Sequence, residues 1–362
     1  MTDSRDEICI EKFNVGHADL TLIHLPTDPP VVIDTAYIGD IEDFYDQSET
    51  GRTIPSDSVQ HCFLTHFDED HVSGLAELIA RTNVGTVSQP YPFEVARTAA
   101  DDTPGISDLN LSVTEALEPQ LTSLDRSILD NTHVARNYAL MELLAQDRSS
   151  IESKFPDMLD PTKYSKRAKR VLEAPNELTI RDIDGTDRFS FHDDAVTVDV
   201  LWPATDVLTT DANTDTWTIN ELSGVFRVTT PNQTHLFTGD ISGRVEAELC
   251  ARARRAELKL EADILHASHH GATEDPDRSA GRTVGNSERF LGQVAPTHLI
   301  ISSGTSGNYG HPDPALFDRC ADHGIEVLWT GVHGHIRFNQ TSIETAEPVS
   351  RDPYVLKAKR GE

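Results

Sequence analysis

The stretch Thr65-His66-Phe67-Asp68-Glu69-Asp70-His71-Val72-Ser73-Gly74 limits the choice of fold more than any other part of the chain. It places two His and two Asp within six positions, directly after the apolar run Cys62-Phe63-Leu64. An apolar run that short, entered from Ser58-Val59-Gln60, reads as a buried strand that ends where the polar residues begin. Gly74-Leu75-Ala76-Glu77-Leu78-Ile79 then has the apolar spacing of a helix. Side chains at the end of a strand are held by a rigid element, which is where a metal site needs its ligands. Imidazole suits borderline metals such as zinc, and carboxylate suits harder ones such as manganese. Four donors this close can serve two ions, with His66 and Asp68 facing one metal and Asp70 and His71 the other. A charged turn that happens to contain histidines is the plain alternative, and the pattern His-x-Asp-x-Asp-His between a strand and a helix argues for the metal.

With 362 residues, 37% of them hydrophobic, the chain has material for one large domain, or one domain with an insertion. No stretch approaches the roughly 20 apolar residues of a membrane span. The opening Met1-Thr2-Asp3-Ser4-Arg5-Asp6-Glu7 lacks the basic start and apolar core of a signal peptide, so a cytoplasmic protein with no membrane contact is expected. Cys9, Cys62, Cys250 and Cys320 are far apart and fit neither a CxxC metal site nor a disulfide framework, which leaves reduced structural thiols. The net charge of -29, from 60 acidic and 31 basic residues, argues against a long polyanion held on a basic surface. An acidic, Asp- and Thr-rich chain whose bases are mostly Arg also suits a high-salt cytoplasm.

In chain order, Ile8 to Val15 reads as an opening strand, and Leu20 to Ile23 and Val31 to Ala36 as a hairpin about Pro26, Asp28, Pro29 and Pro30. From spacing alone His17 and Asp19 read as a turn cap. Asp34 closes a strand and is placed to support a metal ligand from behind. Residues 94–175 differ in character: Leu117, Leu121, Leu124 and Ile128, then Tyr138, Met141 and Leu144, have amphipathic helical spacing. This is read as a helical insertion, with His133 an ordinary helix residue. The insertion ends in a basic stretch, Lys163, Lys166, Arg167, Lys169 and Arg170, the one concentrated cationic run in an acidic chain. Strands return from Phe189, a helix is expected from about Arg244 to Leu260, and Asp240 and the pair His269-His270 again sit where apolar runs end. Alternating strands and helices in each half predict an α/β protein.

Several separated motifs together resemble one group. The chain looks like the soluble metallo-hydrolase domain of bacterial DNA-uptake channels, the ComEC-type branch of the metallo-β-lactamase superfamily. The wider superfamily shows His-x-His-x-Asp-His; here Asp68 stands at the second His. The ComEC-type motif His-x-Asp-x-Asp-His-x-x-Gly is matched by His66, Asp68, Asp70, His71 and Gly74. The Val-Gly-x-Gly-Asp opening corresponds to Val15 to Asp19, with Ala18 for the second Gly, and Ile-Asp-Thr-Gly to Ile33 to Ala36, with Ala36 for Gly. Asn220 and Ser223, Thr238 to Asp240, His269 to Gly271, and Tyr309 to Pro312 complete the series. The channel proteins carry many membrane spans and this chain shows none, so the resemblance implies fold and hydrolase chemistry without implying DNA uptake.

The resemblance implies an αββα sandwich of the metallo-β-lactamase type, with the helical insertion inside a single domain. It implies two divalent ions, zinc or manganese, held by His66, Asp68, Asp70, His71, Asp240 and His269, with Asp240 bridging. Asp70, His270 and His311 are the expected catalytic side chains, His311 by touching substrate or donating a proton. His269 is preferred to its neighbour His270 as ligand, although adjacent imidazoles look alike in sequence. The expected activity is hydrolysis by a metal-bound hydroxide, with a phosphodiester in a nucleotide or nucleic acid as substrate. A carboxylic ester, lactone or β-lactam is the enzymatic alternative, and a regulatory protein with a retained metal site the non-enzymatic one. No Gly-x-Ser-x-Gly elbow suggests a Ser-His-Asp hydrolase.

Overall fold

The computed structural model describes residues 7–37, 41, 58–90, 178–209, 217–218, 220–273, 285–305 and 310–346. The expected helical insertion over 94–175, its basic stretch, His133 and Tyr309 lie outside the described residues. The fold is mixed α/β with its strands in two sheets, as expected for the metallo-β-lactamase class. The chain divides into two compact units, one of Met1–Asp28, Asp184–Ala204 and Asn220–Glu362, the other of Pro29–Ile183 and Thr205–Ile219.

In the first unit, β1 (Cys9–Lys12) pairs antiparallel with β2 (Leu20–His24), with Lys12 opposite Thr21. The second unit holds four parallel strands: β3 (Val31–Thr35), β4 (Ser58–Phe63), β5 (Asn83–Gln89) and β6 (Thr179–Asp182). β3 is buried along its whole length, the pattern of a parallel strand covered on both faces. Two short helices follow β4, α1 (Glu69–Val72) and α2 (Leu75–Arg81), and α3 (Thr205–Thr209) completes the unit's described helices.

The rest of the first unit is a seven-stranded sheet. β7 (Arg188–Phe191), β8 (Val196–Trp202), β9 (Val225–Thr229) and β10 (Thr234–Phe237) run antiparallel. Thr230 N–H donates to Gln233 O at 2.9 Å, closing the expected turn at Pro231-Asn232. β11 (Ile264–His266), β12 (His298–Ile301) and β13 (Glu326–Trp329) continue in parallel from β10. Parallel neighbours need crossovers, and α4 (Gly243–Arg254), α5 (Glu288–Val294) and α6 (Pro314–His323) occupy them. α6 carries its own start and stop signals: Asp313 accepts from Ala315 N–H at 2.8 Å, Pro314 opens the first turn, and Gly324 ends it at φ 68°. α4 stops at Arg254 rather than running on to Leu260, because Ala256 turns left-handed at φ 59°. After α7 (Thr330–His333), β14 (Ile336–Phe338) pairs with β1, and β15 (Ile343–Thr345) with β14.

Candidate metal centre

In the second unit the site is built where β3 and β4 end. Leu64 N–H still donates to Ser88 O at 2.9 Å, so the sheet holds the chain until the residue before Thr65. Thr65, His66 and Phe67 then leave the strand fully buried, and Asp68 opens α1 with extended backbone. Asp34, at the end of β3 and only 2% exposed, organises this corner. Its Oδ1 accepts from Thr65 N–H, and its Oδ2 from the Thr65 hydroxyl and from His71 Nδ1, all at 2.8 Å. The Thr65 hydroxyl proton is thereby committed to Asp34, so toward His66 Nδ1, at 3.1 Å, its oxygen is an acceptor.

Both imidazoles therefore carry their proton on Nδ1 and present Nε2 as the lone-pair nitrogen. That is the arrangement of a metal-ligating histidine, whose other ring nitrogen donates to a carboxylate or hydroxyl behind it. The rings of His66 and His71 lie 4.1 Å apart between centroids, and Asp68 Oδ2 is 3.6 Å from His66 Nε2. Asp70 sits half-buried on α1. Asp34 thus supports His71, as its position at a strand end suggests. Gly74 is required here by close approach: its N–H donates to Ala36 O at 2.9 Å, and a Cβ would lie 2.0 Å from Thr35 O. Ala36 keeps a left-handed backbone, φ 51°, at the position where the resembling group has Gly.

In the first unit a second cluster surrounds Asp240, 4% exposed, three residues beyond β10. Its backbone N–H donates to the hydroxyl of Ser223 at 3.2 Å, which gives the Asn220–Ser223 motif a physical purpose. His269 Nε2 lies 3.7 Å from Asp240 Oδ2, and His270 Nε2 3.9 Å from Oδ1. His270 Nδ1 donates to Ser302 O at 2.7 Å, so its Nε2 is the lone-pair nitrogen turned toward Asp240. His270 is 5% exposed, whereas the His269 side chain is 28% exposed. Both imidazoles, His269 expected as ligand and His270 as a catalytic side chain, thus face Asp240 at similar distances. His311 stands beside His269, ring centroids 5.4 Å apart. Burial first, then the neighbouring imidazoles of His269 and His270, hold His311 at about 4, so it is neutral at physiological pH.

The loop bearing His269 and His270 is strained and braced. His269, His270 and Gly271 have φ of 49°, 53° and 87°, three consecutive left-handed residues. The buried Glu246 of α4 accepts from the Ser268 hydroxyl at 3.0 Å, Asn286 N–H at 2.5 Å and Ser287 N–H at 2.9 Å. The Asn286 amide in turn accepts from Ser268 N–H at 3.1 Å and donates to Ser268 O and Ala272 O at 2.8 and 2.9 Å. A sequence reading has no means of finding Glu246 or Asn286, because their partners are 14 to 41 residues away.

Asp19 is the other residue that spacing conceals. It reads as a turn cap, yet its carboxylate pairs with the buried Lys12 ammonium and lies 3.5 Å from His270 Nδ1. The side chains whose atoms are suited to a metal ion thus include His66 and His71 of one unit and Asp19, Asp240 and His270 of the other. The donor chemistry, with imidazole Nε2 atoms fixed by hydrogen bonds at Nδ1 and carboxylates alongside, fits a divalent cation.

No protein-family model matches the chain. A curated relative, the competence protein ComA of Neisseria gonorrhoeae, is 30% identical over 119 residues, 33% of this chain and 15% of ComA. The chain therefore spans a small part of the length of the curated relative it matches. Among solved structures it is similar to the diiron β-hydroxylase CmlA of Streptomyces venezuelae (12% identity, TM-score 0.47, 92% of this chain and 54% of that one). It is also similar to zinc-bound PqqB of Methylobacterium extorquens (12%, 0.44, 91% and 99%). A third is a metal-dependent hydrolase of the β-lactamase superfamily (12%, 0.43, 91% and 98%). The curated relative is a competence protein, in keeping with the ComEC-type resemblance of the motif series. Among the described residues no helix is long and apolar enough to cross a membrane.

Proposed function

We propose that this chain is a divalent-metal-dependent hydrolase, and within that class a phosphodiesterase acting on a nucleotide or a nucleic-acid strand. The observation that carries the reading is the pair of buried imidazoles His66 and His71, whose Nδ1 positions are committed to Thr65 and Asp34. Burying two imidazoles side by side with both Nε2 atoms kept as acceptors serves no packing purpose that two apolar side chains would not serve better. His66, Asp68, Asp70 and His71 would be the metal ligands of the second unit, and Asp240, His269 and His270 those of the first. Two divalent ions there would supply a nucleophile at neutral pH and stabilise charge on a phosphoryl oxygen.

The chain's own residues then do the rest. Asp34 and Thr65 fix the ligand tautomers, and the Glu246 and Asn286 brace holds the second histidine pair in place. A neutral His311 offers a hydrogen bond to substrate. Asp68, a carboxylate where the wider superfamily has imidazole, makes the first site harder and more tolerant of manganese. Its extra negative charge calls for a cation near the substrate phosphate, a role we give to Lys166, Arg167, Lys169 and Arg170. The phosphodiester preference is supported by the ComEC-type motif series and by the competence-protein relative.

The test is elemental analysis followed by a metal-by-substrate screen. Close to two ions per chain are expected, mostly lost in Asp240→Ala. Manganese-supported cleavage of single-stranded DNA, RNA, a cyclic nucleotide or a chromogenic phosphodiester should disappear in His71→Ala. A metal-supplemented protein that holds no metal refutes the hydrolase reading, and cleavage of a lactone with no phosphodiester cleaved moves the substrate to the ester class.

A further inference from the structure

Lys12 ends β1 with its side chain 2% exposed, in a strand buried along its whole length. Withdrawing an ammonium from water costs several kcal/mol even after relaxation, and a Leu or Met of similar length would fill the same space without that cost. The charge is met by Asp19, a few residues on, whose Oδ1 is in hydrogen-bond contact with Lys12 Nζ. The second carboxylate oxygen of Asp19 lies 3.5 Å from His270 Nδ1, the nitrogen that also donates to Ser302 O at 2.7 Å. Ser302 is itself tied to this turn, since its hydroxyl donates to Ala18 O at 2.6 Å.

We propose that Lys12 is a positioning residue: its ammonium fixes the Asp19 carboxylate, which with Ser302 O holds the proton of His270 on Nδ1 and its Nε2 toward Asp240. The inference rests on the metal reading above and adds a residue to it. The hydrogen bond to Ser302 O sets the tautomer, and a carboxylate held 3.5 Å from the same nitrogen favours that ring orientation electrostatically. Lys12 occupies one carboxylate oxygen of Asp19 and leaves the other to face His270. The feature lies outside the motif series, because its residue falls three positions before Val15.

The experiment uses the full chain and reads affinity for zinc and for manganese alone, by competition with a chromogenic chelator, beside the thermal melting temperature. Lys12→Met leaves Asp19 without its counter-ion and is expected both to melt earlier and to bind at least tenfold more weakly. The double variant Lys12→Met/Asp19→Asn has no buried charge to compensate, so its melting temperature should recover while its affinity stays at least tenfold down. That separation distinguishes positioning from simple support of the fold. Asp19→Asn leaves the buried Lys12 ammonium without this carboxylate, so it should melt earlier, and it should show the same loss of affinity. Wild-type affinity in the double variant or in Asp19→Asn overturns the inference while leaving the metal reading intact. A wild-type protein that takes up no metal overturns both.

Discussion

Replacing Asp34 by Asn isolates the chemistry of one carboxylate. Asp34 has φ 56°, a left-handed backbone that Asn adopts more readily than most residues, so the exchange adds no backbone strain. The Asn carbonyl can still accept from Thr65 N–H, which reaches Asp34 Oδ1 at 2.8 Å. At the other position an amide –NH2 now faces two former donors, the Thr65 hydroxyl and His71 Nδ1. The hydroxyl can rotate and accept. His71 can relieve the conflict only by moving its proton to Nε2, the nitrogen assigned to the metal. Losing a support of this kind typically weakens a metal site 10- to 100-fold, which is about 1.4 to 2.8 kcal/mol at 1.4 kcal/mol per decade. In the metal-free protein the cost should be about 1–3 kcal/mol, from exchanging a hydrogen bond to a charged acceptor for a weaker one. Chelator competition for zinc and manganese gives the first figure, and urea unfolding in excess chelator the second. A folded Asp34→Asn protein with wild-type affinity for both metals would refute the reasoning, since His71 would then not ligate through Nε2.

Three further outcomes test other parts of the structure. Gly74→Ala places a Cβ 2.0 Å from Thr35 O and 2.6 Å from Ile41 Cγ1, and should destabilise the metal-free protein by about 2–3 kcal/mol in urea unfolding; a superimposable unfolding curve would show that this turn yields freely. Burial holds His235, and burial with Arg181 holds His61, at about 3, whereas the unfolded chain takes up these protons near 6.5. Stability is therefore complete above pH 6.5 and declines as pH falls from 6.5 toward 3, and the decline should shrink in His61→Asn; an identical pH profile there would remove His61 from the account. The charge of -29 predicts a melting temperature that climbs as salt approaches about 1 M, where self-repulsion is screened, and a flat or falling response would reduce the acidic balance to composition.

How much of this was readable beforehand depends on the reach of each interaction. The ligand stretch was legible because its residues are consecutive and its strand and helix signals are local: β4 ends at Phe63 and α2 begins at Leu75, close to where apolar spacing puts them. Asp34 was legible as a supporting carboxylate, since a lone Asp closing an apolar run has few other purposes. Asp19 was not, because the same residue in a short turn reads as a cap until Lys12 and His270 are seen on either side of it. That His270 turns a lone-pair nitrogen toward Asp240 needed the three-dimensional position of Ser302, 32 residues away. α4 ends several residues short of the extent its spacing predicts, since Ala256 in a left-handed conformation has no sequence signal of the kind Gly would give.

The consecutive left-handed backbone at His269, His270 and Gly271 bears on the fate of descendants of this chain. A β-carbon in that conformation costs roughly 1–2 kcal/mol per residue, so the two histidines together hold the protein about 2–4 kcal/mol below what a relaxed loop would allow. While the site is under selection that deficit is tolerated, because this backbone course turns both imidazoles toward Asp240. A duplicate freed from selection would have a thermodynamic incentive to shed them, and glycine or asparagine at either position would make it a sturdier protein. Loss of this pair, ahead of His66 or His71, whose own backbone is not left-handed, is the expected first mark of a copy that no longer uses the site. A survey of natural variants that read only the His-x-Asp-x-Asp-His stretch would overlook it.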